Sequence, residues 1–263
     1  MLVEQLYADN PLRNFHYLIA CPESREALVI DPLDVDRCLH AAEKQDWKIT
    51  QILNTHEHWD HIGGNEEMIE KTGAKVLAHK GAADKIKHLD RGLSAGDIVE
   101  VGSSVNLKVL DTPGHTMSHV CLLSNSDNPG LFCGDTMFNA GAGNCKNGGH
   151  PEELYDTFSR QLASLPEATR IYPGHDYFVN NLQFTLDREP GNETAKQYLA
   201  KLEGQDPHAA YISSLAEEKL FNTFFRLDNP EVVRRLREKF PDLSDRPTEK
   251  EVFIALRELR NSW

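Results

Sequence analysis

The chain has 263 residues, with 28 lysines and arginines set against 41 aspartates and glutamates for a net charge of −13. Such an acidic balance excludes the basic patch that nucleic acid or an anionic membrane surface requires. Forty per cent of the residues are apolar, enough for a core, yet no stretch approaches the roughly 20 apolar residues of a membrane span.

The start, Met1-Leu2-Val3-Glu4, has neither the basic segment nor the apolar run of a secretory leader. Short β-rich runs follow at 15–19, 27–30, 49–53, 75–78, 105–110, 120–123, 131–132 and 170–172. Each is bounded by Gly, Pro, Asn or Asp, the usual punctuation of strands. A helix fits after residue 64, with Asn65 as its cap and Glu66 and Glu67 in the first turn, where the helix dipole favours acids. Another fits from Pro151, with Leu154, Phe158 and Leu162 recurring at i, i+4 and i+8. Beyond residue 175 the period is helical, with candidates at 177–187, 193–203, 213–219, 230–239 and 248–260. Breaks fall at Glu189-Pro190-Gly191-Asn192, Asp206-Pro207, Asn229-Pro230 and Asp245-Arg246-Pro247. The expected architecture is α/β: a β-rich domain over 1–175, sheets packed on sheets with outer helices, then a helical domain over 176–263.

Histidine and aspartate carry the chemistry. His56, His58, Asp60 and His61 are packed into T-H-E-H-W-D-H, and His115, Asp135 and His175 follow, each just beyond an expected strand and a glycine. Neutral imidazoles suit borderline divalent metals, and a carboxylate can bridge two of them. Four ligands between 56 and 61 would crowd one ion, so the spacing points to two, a hydrolytic arrangement. Loops at strand ends are where a rigid scaffold presents such groups. The five cysteines, Cys21, Cys38, Cys121, Cys133 and Cys145, form no C-x-x-C pair and fit reduced thiols in the cytoplasm. His79, His88, His150 and His208 have no ligand-like context, and His119 reads as a buried hydrogen-bonded histidine. Phe221, Phe224 and Phe225 read as helical core.

The segments T-H-E-H-W-D-H-I-G-G-N, T-P-G-H-T, L-F-C-G-D-T-M-F and Y-P-G-H-D-Y, in this order, resemble the metallo-β-lactamase fold and within it the glyoxalase II branch. Asp31-Pro32 resembles the family's early turn, and residues 213–226 are similar to its helical-domain signature. The resemblance implies a four-layer αββα sandwich with a helical C-terminal domain. It also implies a metal-dependent thioesterase that hydrolyses S-2-hydroxyacylglutathione, such as S-D-lactoylglutathione, in methylglyoxal detoxification. By the same resemblance, one ion falls to His56, His58 and His115 and a second to Asp60, His61 and His175. Asp135 bridges the two, and Asp60 can also accept a proton. Zinc is the first expectation for the pair, with iron and manganese as alternatives.

The family's glutathione-reading segment is altered here to Gly141-Ala142-Gly143-Asn144-Cys145-Lys146-Asn147-Gly148. Asn144 replaces the cation, the aromatic is missing and Lys146 stands two places later. Arg257 and Arg260 share a helical face, with Val252, Leu256 and Leu259 as the core stripe, and Tyr177 keeps the family's place beside His175. Asn144, Lys146, Tyr177, Arg257 and Arg260 are therefore the expected substrate contacts, and a monomer acting on a small glutathione thioester is the expected form. Hydrolysis of another thioester or a lactone, persulfide oxygenation, and a non-enzymatic metal-binding scaffold are the competing readings.

Overall fold

The computed structural model describes residues 1–263. Strands β1 (Leu2–Tyr7), β2 (Phe15–Ala20), β3 (Glu26–Ile30), β4 (Lys48–Leu53), β5 (Lys75–His79) and β6 (Leu89–Leu93) form one sheet in that order. The β1–β3 ladder is antiparallel and the β3–β6 ladder parallel. The second sheet has the order β13-β10-β9-β8-β7, from β7 (Ile98–Val101), β8 (Val105–Asp111), β9 (Val120–Ser124), β10 (Gly130–Gly134) and β13 (Arg170–Pro173). Between its last two members lies a small hairpin of β11 (Met137–Phe138) and β12 (Gly141–Ala142).

Strand alternation explains how the sheets stack. In β2, Phe15, Tyr17 and Ile19 point into the core between the sheets, and Leu18 and Ala20 point to the outer side. In β10, Phe132 enters the inter-sheet core, and Leu131 and Cys133 face outward. Side chains two residues apart share a face of a strand, so both sheets are buried on two sides and need helical covers. Helices α1 (Val35–Lys44) and α3 (Asn65–Thr72) cover the first sheet through Val35, Cys38 and Met68. Helix α4 (Pro151–Thr157), with the wider turn Phe158–Leu162 that follows it, covers the second. The four layers are thus α/β/β/α.

The remaining helices are the short α2 (Trp59–Ile62), then α5 (Phe178–Arg188), α6 (Glu193–Leu202), α7 (Leu215–Phe221), α8 (Pro230–Lys239) and α9 (Glu249–Arg260). The five expected C-terminal helices are all present, and α6, α8 and α9 begin on side-chain caps. Asn192 caps α6, Asn229 caps α8 with Pro230 at the first position, and Thr248 and Glu251 form a capping box on α9. These helices extend the outer layer: Phe184, Phe224, Val252, Phe253 and Leu256 pack with Leu131, Leu154 and Ile171.

Three details differ from the sequence reading. Gly64, not Asn65, caps α3, because the Asn65 amide donates to Asn54 Oδ1 at 2.7 Å instead. Phe224 and Phe225 lie in a short 3₁₀ turn beyond α7. Strands β1, β6, β7, β11 and β12 and helices α1 and α2 are additional elements.

Candidate metal centre and adjoining cavity

The parallel pairs β3/β4 and β10/β13 deliver their C-terminal ends to one edge of the sandwich. The loops after β4, β8, β10 and β13 carry His56–His61, His115, Asp135 and His175 to that edge. Gly114 and Gly134 adopt φ +144° and +46° in these loops, angles that disfavour side chains. A Cβ at Gly174 would sit 2.3 Å from Asp135 Oδ1.

All seven ligand candidates converge. His56, His58 and His115 form one cluster, and Asp60, His61 and His175 another, with ligand atoms within 4.8 Å of one another in each. Asp135 lies between them. Its Oδ1 is 3.3 Å from His175 Nε2 and 3.5 Å from His61 Nε2, and its Oδ2 is 3.6 Å from His115 Nε2.

The outer ring nitrogens fix which tautomer is present. His58 Nε2–H donates to Asn147 O (3.1 Å), His115 Nδ1–H to Asn144 O (2.6 Å) and His175 Nδ1–H to Leu12 O (2.8 Å). His61 Nδ1–H donates to Asp31 Oδ2 (2.9 Å). Thr55 Oγ1 gives its proton to Asp31 Oδ2, so it accepts from His56 Nδ1–H at 3.0 Å. Each acceptor demands a proton on the outer nitrogen, which turns the other nitrogen, a bare lone pair in the neutral ring, inward. The inward nitrogens face one another, His56 Nε2 to His58 Nδ1 and His115 Nε2 to His58 Nδ1 both at 3.0 Å.

Electrostatics favour a cation at this point. Burial holds His56 well below the ordinary histidine range and lowers His115 to about 4, keeping both neutral. Burial opposes charge on His61 too, but Asp135 and Asp31 outweigh it and raise its pKa. Burial would raise Asp60 and Asp135, yet His61 and the Asn14 amide hold Asp60 down, and His175 and His61 do the same for Asp135. Asp135 Oδ1 is buried with no hydrogen-bond donor. Converging lone pairs, ionised carboxylates and an orphaned buried oxygen are a donor set that fits divalent metal.

Beside this centre lies a cavity of about 310 Å³, lined by Phe138, Ala142, Asn144, Lys146, Asn147, Tyr177, Asn181, Arg257, Arg260 and Asn261. All five expected substrate contacts are in its wall. Tyr177 stacks on the His175 ring (4.9 Å, 4° between planes), and burial raises its phenol pKa, keeping the O–H a donor. Lys146 is exposed, and its ammonium donates to Asn261 O at 2.9 Å. Arg260 donates to Asn181 Oδ1 at 3.3 Å. Arg257 is almost fully buried and donates to Ala142 O at 2.5 Å, Gly143 O at 3.1 Å and Asn261 Oδ1 at 3.2 Å. Burial, with Arg260 adding to it, lowers Arg257 to about 10, so it stays charged at neutral pH without a carboxylate partner.

Several supporting residues escape the sequence reading. Asp31, at φ +50°, accepts from Thr55 N, Thr55 Oγ1 and His61 Nδ1; the Asp-Pro turn was its only signal. Asn14 donates to Asp60 Oδ2 at 3.0 Å from the loop before β2. Glu57 accepts from Lys85 and, at 3.1 Å, from Thr116 Oγ1, tying the loop of His56 to that of His115. His119 is buried and hydrogen-bonded as expected, and its Nε2 accepts from the Asp135 backbone N–H at 3.3 Å.

Residues 17–175 match the family described as the metallo-beta-lactamase superfamily, and residues 176–263 match hydroxyacylglutathione hydrolase C-terminus. A relative from Nitrosococcus oceani, named hydroxyacylglutathione hydrolase, is 63% identical over the whole of both chains. The chain belongs to the hydroxyacylglutathione hydrolase branch of the metallo-β-lactamase superfamily. Among solved members of this superfamily fold, ETHE1 from Myxococcus xanthus is 27% identical with a TM-score of 0.69, covering 100% of this chain and 99% of its own. TTHA1623, solved in a di-iron-bound form, is 28% identical with a TM-score of 0.54, covering 66% of this chain and 92% of its own. The metallo-β-lactamase fold and the His/Asp groups gathered at this edge together support divalent-metal binding.

Proposed function

We propose that the protein hydrolyses S-2-hydroxyacylglutathione thioesters, S-D-lactoylglutathione among them, to glutathione and a 2-hydroxy acid, a reaction of methylglyoxal detoxification. In this reading two divalent ions serve the reaction, one held by His56, His58 and His115, the other by Asp60, His61 and His175. The observation that carries it is the Asp135 carboxylate, which turns one oxygen to each cluster. Zinc is the pair we assign, with iron and manganese as competitors for the same donors; the similar TTHA1623 was solved with two irons. When bound, such a pair supplies Lewis acidity for the thioester carbonyl and a water whose pKa falls toward neutrality, as one zinc already achieves at about 7.

The chain's own groups do the rest. Asp60, itself a member of the second cluster, is held ionised by His61 and the Asn14 amide and serves as a proton acceptor. Phe138 and Tyr177 wall the reacting carbonyl, and the Tyr177 hydroxyl is a donor for the substrate. Lys146 and Arg260 attract the glutathione carboxylates, which the net charge of −13 would otherwise repel. The leaving thiolate has a conjugate acid near 8.5, so it departs without a dedicated general acid. Burial pushes the nearby Cys145 thiol up to about 11, which removes it as a nucleophile.

Residues 1–175 supply the metals' ligands in this scheme together with Asn144 and Lys146 of the cavity wall, and 176–263 supply Tyr177, Arg257 and Arg260, so recognition draws on both parts. We place the protein in the cytoplasm as a monomer; its five cysteines are all unpaired, and no helix is long and apolar enough to cross a membrane. Purified metal-loaded protein assayed against S-D-lactoylglutathione, a lactone and glutathione persulfide tests the reading. A kcat/KM for the thioester at least about a hundredfold above the lactone is expected, a ΔΔG‡ of some 2.7 kcal/mol. Faster lactone turnover, or oxygen consumption with the persulfide, would overturn it.

A further inference from the structure

The segment Asn139–Asn144 lies directly on two of the ligands. A Cβ at Gly143 would sit 1.8 Å from the Asp135 carbonyl oxygen and 3.1 Å from His115 Nδ1, and the Asn144 carbonyl holds His115 Nδ1–H at 2.6 Å. What grips this segment comes from the helical region. Glu218 on α7 is completely buried. Its carboxyl accepts from Ala140 N at 2.8 Å, Ser213 Oγ at 2.6 Å, Asn222 Nδ2 at 3.0 Å and Asn139 Nδ2 at 3.4 Å. No lysine or arginine pairs with it. Asn222 also donates to Gly141 O at 3.2 Å. Ala140 stands at φ +56°, a left-handed conformation that a residue with a side chain keeps only where its surroundings impose it.

We infer that Glu218 is a positioning residue: by gripping the Asn139–Gly141 backbone from α7, it sets the Asn144 carbonyl against His115 and so tunes metal affinity at the His56–His58–His115 cluster. Burying a carboxyl without a counter-ion is costly, and the return is four donors satisfied at once, two of them on this turn. Burial pushes Glu218 up to about 7. The protonated form keeps the grip, since its O–H is donated to Ser213 Oγ while the other oxygen still accepts from Ala140. A glutamine can do the same with its amide turned to Ser213; an alanine cannot. Partners that orient a ligating histidine typically control affinity by about 10–100-fold.

The inference rests on the metal reading above. Metal-free full-length wild type, Glu218→Ala and Glu218→Gln are compared for Co²⁺ affinity by chelator competition and for the d–d spectrum of the cobalt-loaded protein, with thermal melting as the check on folding. The alanine variant should lose about 10–100-fold in affinity and change the d–d spectrum, with the glutamine variant close to wild type. Should the alanine variant not fold, Asn222→Ala, which removes the bond to Gly141, should show a smaller loss in the same direction. Affinity unchanged in the folded alanine variants, or lost equally in Glu218→Gln and Glu218→Ala, overturns the inference. Failure of the wild type to bind Co²⁺ overturns the metal reading instead.

Discussion

At the metal centre, every ligand imidazole has its outer nitrogen bonded to a fixed oxygen, and five of the seven ligands come within 6% of full burial. In the cavity across Phe138 and Tyr177, Lys146 is exposed and Arg260 only partly covered. The centre is acidic, with Asp31, Asp60 and Asp135 around it; the cavity is basic, with Lys146, Arg257 and Arg260. Lys146 and Arg260 therefore favour the anionic tail of a ligand in the cavity, which leaves an uncharged carbonyl facing the centre. The contrast teaches that the two regions carry different kinds of free energy. In the proposed function the centre is preorganised for charge that develops during reaction, and the cavity supplies binding common to ground and transition states.

The largest break in that contrast should come from Asp135→Ala. Losing the carboxylate that lies between the two clusters should lower kcat/KM by more than about a hundredfold and lower metal content by elemental analysis, while the exposed His40→Ala stays near wild type. Asp31→Asn comes next. Asp31 accepts from Thr55 N, Thr55 Oγ1 and His61 Nδ1, so an amide must turn a donor toward a donor. Metal affinity should fall by about 10–100-fold, measured by chelator competition. The cavity should respond more weakly and in KM. Arg260→Ala should raise KM about tenfold with kcat nearly unchanged, the order expected for one hydrogen bond to a charged group. Added salt should weaken wild-type binding more than binding by that variant. Arg257→Ala sharpens the comparison: Arg257 also holds the Ala142 and Gly143 carbonyls, so its steady-state kinetics should show kcat falling together with a rise in KM.

What could be read from the sequence follows the same division. The ligand set was legible because four of its members are packed into six residues and the others each follow a strand and a glycine. Strands such as β2 and β10 were legible because both faces are buried and the runs are apolar apart from His16. Strands β1 and β6 were not: they lie at the edges of the first sheet, half-exposed, and their runs mix Glu, Gln, Asp and Arg with the apolar residues. Helix α1 begins in a stretch rich in Asp and Pro that reads as a turn, although Asp34 is its cap. The five cavity residues were found through the family resemblance, but what Arg257 bonds to was not. Its partner carbonyl at Ala142 lies 115 residues away and depends on how α9 meets the β11–β12 hairpin. Glu218 was hidden for the same reason, since nothing local marks a glutamate in α7 as buried against that turn.

The most direct test of the dinuclear account is a metal titration of the metal-free protein, following S-D-lactoylglutathione hydrolysis against equivalents of Zn²⁺ added. Activity should climb until about two ions are bound per chain, with both His115 and His175 required to reach that plateau. A plateau of full activity at one equivalent, unaffected by His175→Ala, would contradict it.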